Sequence, residues 1–291
     1  MANGIGSTFS TSVDEGTYRL NRTTPSLLAT GFVGGLDVSV GVLAALLVLQ
    51  GTGSSLLSAL GFSIGFIALT LANSELFTEN FLLPIAAVVA RKARMRAVWR
   101  LWAGTAVTNL LGGLLMVSLI MLAFPELGAT GVEKGALYLE RGLSWSGFAS
   151  AVLAGIVITL MTWMQQGTQS TGARIVAAVA AAFLLSYGHL SHVVVASLEV
   201  FAGMFGGAGT PVGEWAALAV MWALGNAVGG IGLVTMLRIV QVGPRRLRAE
   251  QERQIAETDE SMVDLSDDER AAAERAERAE DAGAAEPNEA V

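Results

Sequence analysis

The nonapeptide Asn73-Ser-Glu-Leu-Phe-Thr-Glu-Asn-Phe81 interrupts a chain that is apolar for long stretches on either side. Glu75, Thr78, Glu79 and Asn80 stand where a plain membrane helix would carry Leu and Val. A charged residue near the bilayer centre costs roughly 2.5–3.5 kcal/mol on insertion scales. Irregular backbone at that depth persists only inside protein or beside a water-filled cavity. The stretch therefore reads as the break of a discontinuous helix that lines a pathway.

The whole composition supports a membrane setting: 53% hydrophobic, 15% charged, mean hydropathy +0.56. That is too apolar for a soluble domain of this length. There is no cysteine, which excludes disulfides and thiolate metal sites. No nucleophile–base set and no cofactor loop is visible, so no enzyme, cofactor, metal or nucleic-acid role is expected.

Six spans follow from the apolar runs. They are Leu27–Leu49, Leu56–Ala72 continued by Phe81–Ala90, Val98–Phe124, Ser146–Met164, Ile175–Gly188 continued by Val193–Phe205, and Glu214–Val240. The fifth is interrupted by His189-Leu-Ser-His192. Asp37 lies in the middle of the first. Residues 125–145 read as a polar loop. Trp99, Trp102, Trp145, Trp163 and Trp215 lie near span ends and read as interfacial anchors.

Charge divides the chain into three parts: a flexible lead over 1–26, a transmembrane pore domain over 27–248, and an acidic, mostly disordered tail over 249–291. The net charge of −7 combines a tail with 15 acidic and 4 basic residues and a body with 10 and 14. Counting Lys and Arg on alternate sides gives 12 against 2. That asymmetry predicts a multi-pass protein of the cell membrane with both termini in the cytoplasm.

The halves repeat. Glu75-Leu-Phe-Thr-Glu-Asn-Phe81 matches Glu199-Val-Phe-Ala-Gly-Met-Phe205 at an offset of 124, as Gly31 matches Gly155. Asn109-Leu-Leu-Gly-Gly matches Asn226-Ala-Val-Gly-Gly at 117. Three spans per half turn the second half upside down. Inverted repeats with paired broken helices are a transporter layout. The expected fold is thus an all-α membrane protein of six transmembrane helices, two inverted three-helix repeats with broken second and fifth helices. Asn109 and Asn226 are expected to bond across packed helices. Glu75 is expected to fix an irregular loop.

Ser74-Glu-Leu-Phe-Thr78, Asn109-Leu-Leu-Gly-Gly113 and Gly225-Asn-Ala-Val-Gly-Gly230 resemble the signatures of the formate/nitrite transporter family. The resemblance covers roughly residues 27–242. It implies an aquaporin-like protomer, a homopentamer in the lipid membrane with one pore per protomer, and passage of small monovalent weak-acid anions. By position it implies a cytoplasmic constriction at Leu76 and Phe77 and a mobile-loop hydroxyl at Thr78. It implies an outer constriction at Phe62 facing Leu184 or Leu185, and an anion-drawing cation at Arg174. His192 takes the place of the central histidine. Counting from Gly188 lands on Ser191, Ala196 replaces the family's asparagine, and Glu199 is an added carboxylate. These departures mark a divergent branch.

An imidazole between two apolar constrictions can donate a hydrogen bond to an anion and relay a proton. That makes a proton-coupled anion pathway the first expectation. If Glu199 faces the pore ionised, the same fold would favour a cation or neutral solute. A membrane scaffold with a partner-binding acidic tail is the third reading.

Overall fold

The computed structural model describes residues 4–253. The acidic tail from 254 onward lies outside the described residues, so the expectation for it is carried no further. Two units separate at residues 244 and 245. In the second, 245–253 are helical.

The first unit holds the spans. Among the described residues five helices are long and apolar enough to cross a membrane: α2 (Thr24–Thr52), α3 (Ser55–Ala72), α5 (Met95–Ala123), α7 (Trp145–Gln166) and the run Val212–Val242. That last run comprises α10 (Val212–Ala227), a π-helical stretch (Val228–Thr235) and α11 (Met236–Val242). The fifth span is divided into α8 (Thr171–Tyr187) and α9 (Val193–Phe205). The second is divided too: α3 is followed by a 3-10 turn (Phe77–Phe81) and α4 (Leu83–Val89). Six spans with the second and fifth broken are therefore present.

Two segments differ from the sequence reading. The lead expected to be flexible forms α1 (Ile5–Leu20), which buries Phe9, Val13 and Leu20. The expected polar loop over 125–145 contains α6 (Gly128–Leu139), with Lys134 and Tyr138 buried. Both helices have small residues on their packing faces, and that hid them from an apolar-run search. A Cβ on Gly16 would meet the Leu83 carbonyl, and one on Gly135 would lie 3.0 Å from the Glu199 carbonyl oxygen. Each half thus begins with a short helix laid against the helix beyond its own break, α1 on α4 and α6 on α9.

These contacts correct the register of the repeat. Asn73 and His189 are the residues that close α3 and begin the second break with positive φ, 53° and 46°. They are 116 positions apart. Ser54 and Ser170, also 116 apart, cap α3 and α8 by accepting from Leu57 N–H and Ala173 N–H. Glu75 therefore corresponds to Ser191, not to Glu199. A Cβ on Gly35 or on Gly155 would strike the backbone carbonyl of Asn109 or Asn226 respectively. Gly155 thus pairs with Gly35, not Gly31. The Asn109–Asn226 offset of 117 stands. Loops of unequal length change the offset from element to element, so one fixed offset matched unrelated residues.

Lipid gives apolar helices no hydrophobic reason to associate, so close backbone approach carries the packing. Gly35→Leu is expected to force α2 and α5 apart and lower the thermal midpoint by roughly 5 °C or more. Gly51→Ala, with nothing within 4 Å of the new carbon, is expected to be neutral or slightly stabilising. Scanning fluorimetry on purified protein checks both.

Candidate functional site

The two breaks are held by one asparagine each. Phe77 N–H donates to Asn109 Oδ1 (2.8 Å), and Asn109 Nδ2 donates to the carbonyls of Gly31 (2.6 Å) and Glu75 (2.8 Å). In the second half Val193 N–H donates to Asn226 Oδ1 (2.9 Å), and Asn226 Nδ2 donates to Ala151 (2.7 Å) and Ser191 (3.0 Å). Both side chains are fully buried. A primary amide has the acceptor and the two donors that an unwound turn between two helices leaves unmet.

Charge then secures the first break. Arg22 Nη1 donates to Glu75 Oε1 at 2.5 Å, and Arg19 Nε lies 3.2 Å from the same oxygen. Arg19 also donates to Asn80 Oδ1 (3.2 Å) and to Glu15 Oε1 (2.8 Å). Burial disfavours the Arg19 charge, but Glu75, Glu15 and Glu79 outweigh it and hold its pKa raised. Ser74 Oγ donates to Asp37 Oδ2 (2.5 Å), so the carboxylate within the first span serves the break. Trp102 Nε1 donates to the Asn80 carbonyl (2.8 Å). Trp102 and Trp163 are buried, unlike the interfacial anchors expected, whereas Trp99 and Trp145 are exposed.

The second break is secured differently. Arg141 donates to the His189 carbonyl and to Ser150 Oγ (3.1 Å). Ser150 Oγ in turn accepts from Ser191 N–H (3.1 Å). Sequence reading missed Arg141 and Lys134, counting both only as loop charges. The glycine spacing of 128, 131 and 135 was the signal that this segment packs as a helix.

At the junction, Thr78 Oγ1 and His192 Nε2 are 2.6 Å apart, and both residues are fully buried. They are 114 residues apart in sequence and come from opposite breaks. His192 is also the N-cap of α9: its Nδ1 accepts from Val195 N–H at 3.2 Å. A ring nitrogen that accepts carries no proton, so the neutral ring holds its hydrogen on Nε2. Nε2–H then donates to Thr78 Oγ1, and the Thr78 hydroxyl hydrogen is left to donate onward.

The other site candidates divide. Leu76 and Phe62 are fully buried, and Phe77 packs against both hydrophobic clusters and edge-on against Phe81. Leu185 is fully buried in the cluster that holds Phe62, while Leu184 is 52% exposed and faces outward. Arg174 lines a cavity of about 530 Å³ with Arg19, Arg22, Ser74 and Glu79. Glu199 is fully buried and paired with Lys134 Nζ at 3.4 Å across the α6–α9 interface.

Replacing Asn109 by Ala leaves three buried backbone groups unmet. About 3 kcal/mol or more of stability should be lost, and Asn226→Ala should match it. Lys134→Met should destabilise by ~3–5 kcal/mol by stranding Glu199, and Lys134→Met with Glu199→Met should recover most of that. Denaturant or thermal unfolding in detergent reads both.

Comparison with known proteins agrees with this architecture. A family model described as Formate/nitrite transporter matches residues 6–240. Inner membrane protein YfdC of Escherichia coli (strain K12) is 27% identical over 244 residues, covering 78% of this chain and 76% of that protein. Formate channel BtFdhC of Bacillus thuringiensis is 25% identical over 244 residues, covering 76% and 89%. Among solved structures, an FNT family ion channel superposes with a TM-score of 0.70 at 18% identity, over 81% of this chain and 99% of that one. A pentameric formate channel with formate bound gives 0.60 at 19% identity, over 75% and 96%. With the family model matching nearly all of the membrane unit, and the paired breaks in place, this chain belongs to the formate/nitrite transporter family.

Proposed function

We propose that this protein forms a homopentamer in the cell membrane, with both termini cytoplasmic, and that each protomer passes small monovalent weak-acid anions of the formate or nitrite kind together with a proton. The observation that carries the reading is the buried Thr78–His192 contact between the two breaks. Family membership supports transport, and the formate channel among the relatives supports an anion of this size.

The steps follow from the residues. Arg174 draws anions toward the 530 Å³ cavity, where Arg19 and Arg22 are already paired with carboxylates. Leu76 and Phe77 on one side and Phe62 and Leu185 on the other are apolar, so a bare anion meets a steep desolvation cost. Desolvation also makes a weak-acid anion more basic. The Thr78 hydroxyl donates to the anion there, held in place by His192 Nε2–H. The proton that neutralises the anion is taken from hydronium of the acidic solution, which leaves water behind, while His192 stays neutral because protonating Nδ1 would break the cap on α9. The neutral acid then crosses.

The reading as a pore for a cation or neutral solute drew on Glu199 and on the altered histidine segment; the Lys134 ion pair gives Glu199 a partner within the fold and so weighs against the first of these grounds. The scaffold reading concerned the acidic tail, which lies outside the described residues.

In proteoliposomes, formate uptake should rise as the outer solution is acidified. Thr78→Val or His192→Ala should cut it roughly tenfold, the rate equivalent of one buried hydrogen bond of about 1.4 kcal/mol. Uptake of glycerol or ammonia with no formate or nitrite flux would overturn the anion reading.

A further inference from the structure

We propose that the turn between α4 and α5 is a binding site for the phosphate headgroup of an anionic phospholipid. Five cationic residues fall within ten positions there: Arg91, Lys92, Arg94, Arg96 and Arg100. Two are engaged by the body of the protein. Lys92 Nζ pairs with Asp14 Oδ1 at 3.2 Å, and Arg100 Nη2 donates to the carbonyls of Leu20 (2.8 Å) and Arg22 (2.9 Å). Arg91, Arg94 and Arg96 are exposed and make no ion pair among the described residues. The sequence supplies no nearby counter-charge either, since no Asp or Glu occurs from Asn80 to Pro125.

The level of these guanidiniums points to lipid as their partner. They flank the start of α5, whose 29 residues extend about 43 Å. The hydrocarbon layer is only about 30 Å thick. The helix thus has length to spare, and the flanking cations and Trp99 assign its first turn to the headgroup layer. Trp99, one turn into the helix, is 62% exposed and is braced edge-on against Trp102 (centroids 5.1 Å apart). Met95 is exposed beside it. An exposed indole within a few residues of three exposed guanidiniums offers acyl contact and phosphate contact together. A free phosphate would use only the second.

The site touches the pathway indirectly. Arg100 and Lys92 tie the same turn to α1, whose Arg19, with neighbouring Arg22, holds Glu75 at the first break. A lipid seated here would steady the helix that clamps that break.

Native mass spectrometry of the full-length protein from detergent, after incubation with equal phosphatidylglycerol and phosphatidylcholine, tests the proposal. Phosphatidylglycerol should be retained preferentially, by roughly fivefold for each arginine engaged. Retention should collapse in 0.5 M NaCl. It should fall toward the phosphatidylcholine level in Arg91→Gln/Arg94→Gln/Arg96→Gln and persist in the corresponding triple Lys variant. Preference that survives high salt, or that is unchanged in the Gln variant, overturns it. So does equal thermal stabilisation of wild-type protein by inorganic phosphate and by phosphatidylglycerol. Retention of a co-purifying acidic protein in place of lipid at this face would overturn it as well. The salt arm uses wild-type protein and holds even if a variant fails to fold.

Discussion

A membrane interior has no water to satisfy a backbone that leaves its helix, and every break must therefore be paired from within. Here two buried asparagines meet that demand. Each accepts from one N–H beyond its break and donates to two carbonyls, one on the break and one on the neighbouring span. Because each amide reaches a third helix, the break and the packing of spans around it form together or not at all. The glycines that let spans approach so closely serve the same end, bringing the asparagines within reach of both partners.

Around this shared frame the halves use different chemistry. The first break is fixed by a carboxylate, Glu75, between two guanidiniums. The second has Ser191 at the matching position and is fixed by Arg141 through carbonyls and a serine pair. The second half's buried ion pair, Lys134–Glu199, sits one helix away. The symmetric scaffold thus carries, beside the first break, a cavity lined by Arg19, Arg22 and Arg174 together with Glu15 and Glu79, and at the second break a single guanidinium bound to backbone.

Much of this was legible in the residues. The polar interruption at 73–81 and the apolar lengths fixed the six spans, because hydrocarbon thickness leaves little latitude. The Asn-x-x-Gly-Gly pair located the third and sixth spans correctly. The short helices α1 and α6 were not legible. Their contact faces mix a few large side chains with Gly, Ser and Thr, and the value of the small residues lies in what they permit a neighbour to do, which hydropathy does not record. The repeat register failed for a related reason. Glu75 and Glu199 share identity but not environment, and only the hydrogen bonds reveal that Ser191 is the true counterpart. Leu184 and Leu185 were indistinguishable as letters; the turn of α8 separates them.

The sixth span carries its own irregularity, the π-helical stretch Val228–Thr235. Within it the single Thr235 hydroxyl hydrogen is shared between the Gly230 carbonyl (2.9 Å) and the Phe81 carbonyl at the end of the first break (3.0 Å). A widened turn holds slack that an ordinary α-helix lacks. The widened turn of span six and the end of the loop that carries Thr78 thus share one hydrogen bond, so a substitution in the π-helical stretch reaches the first break through Thr235.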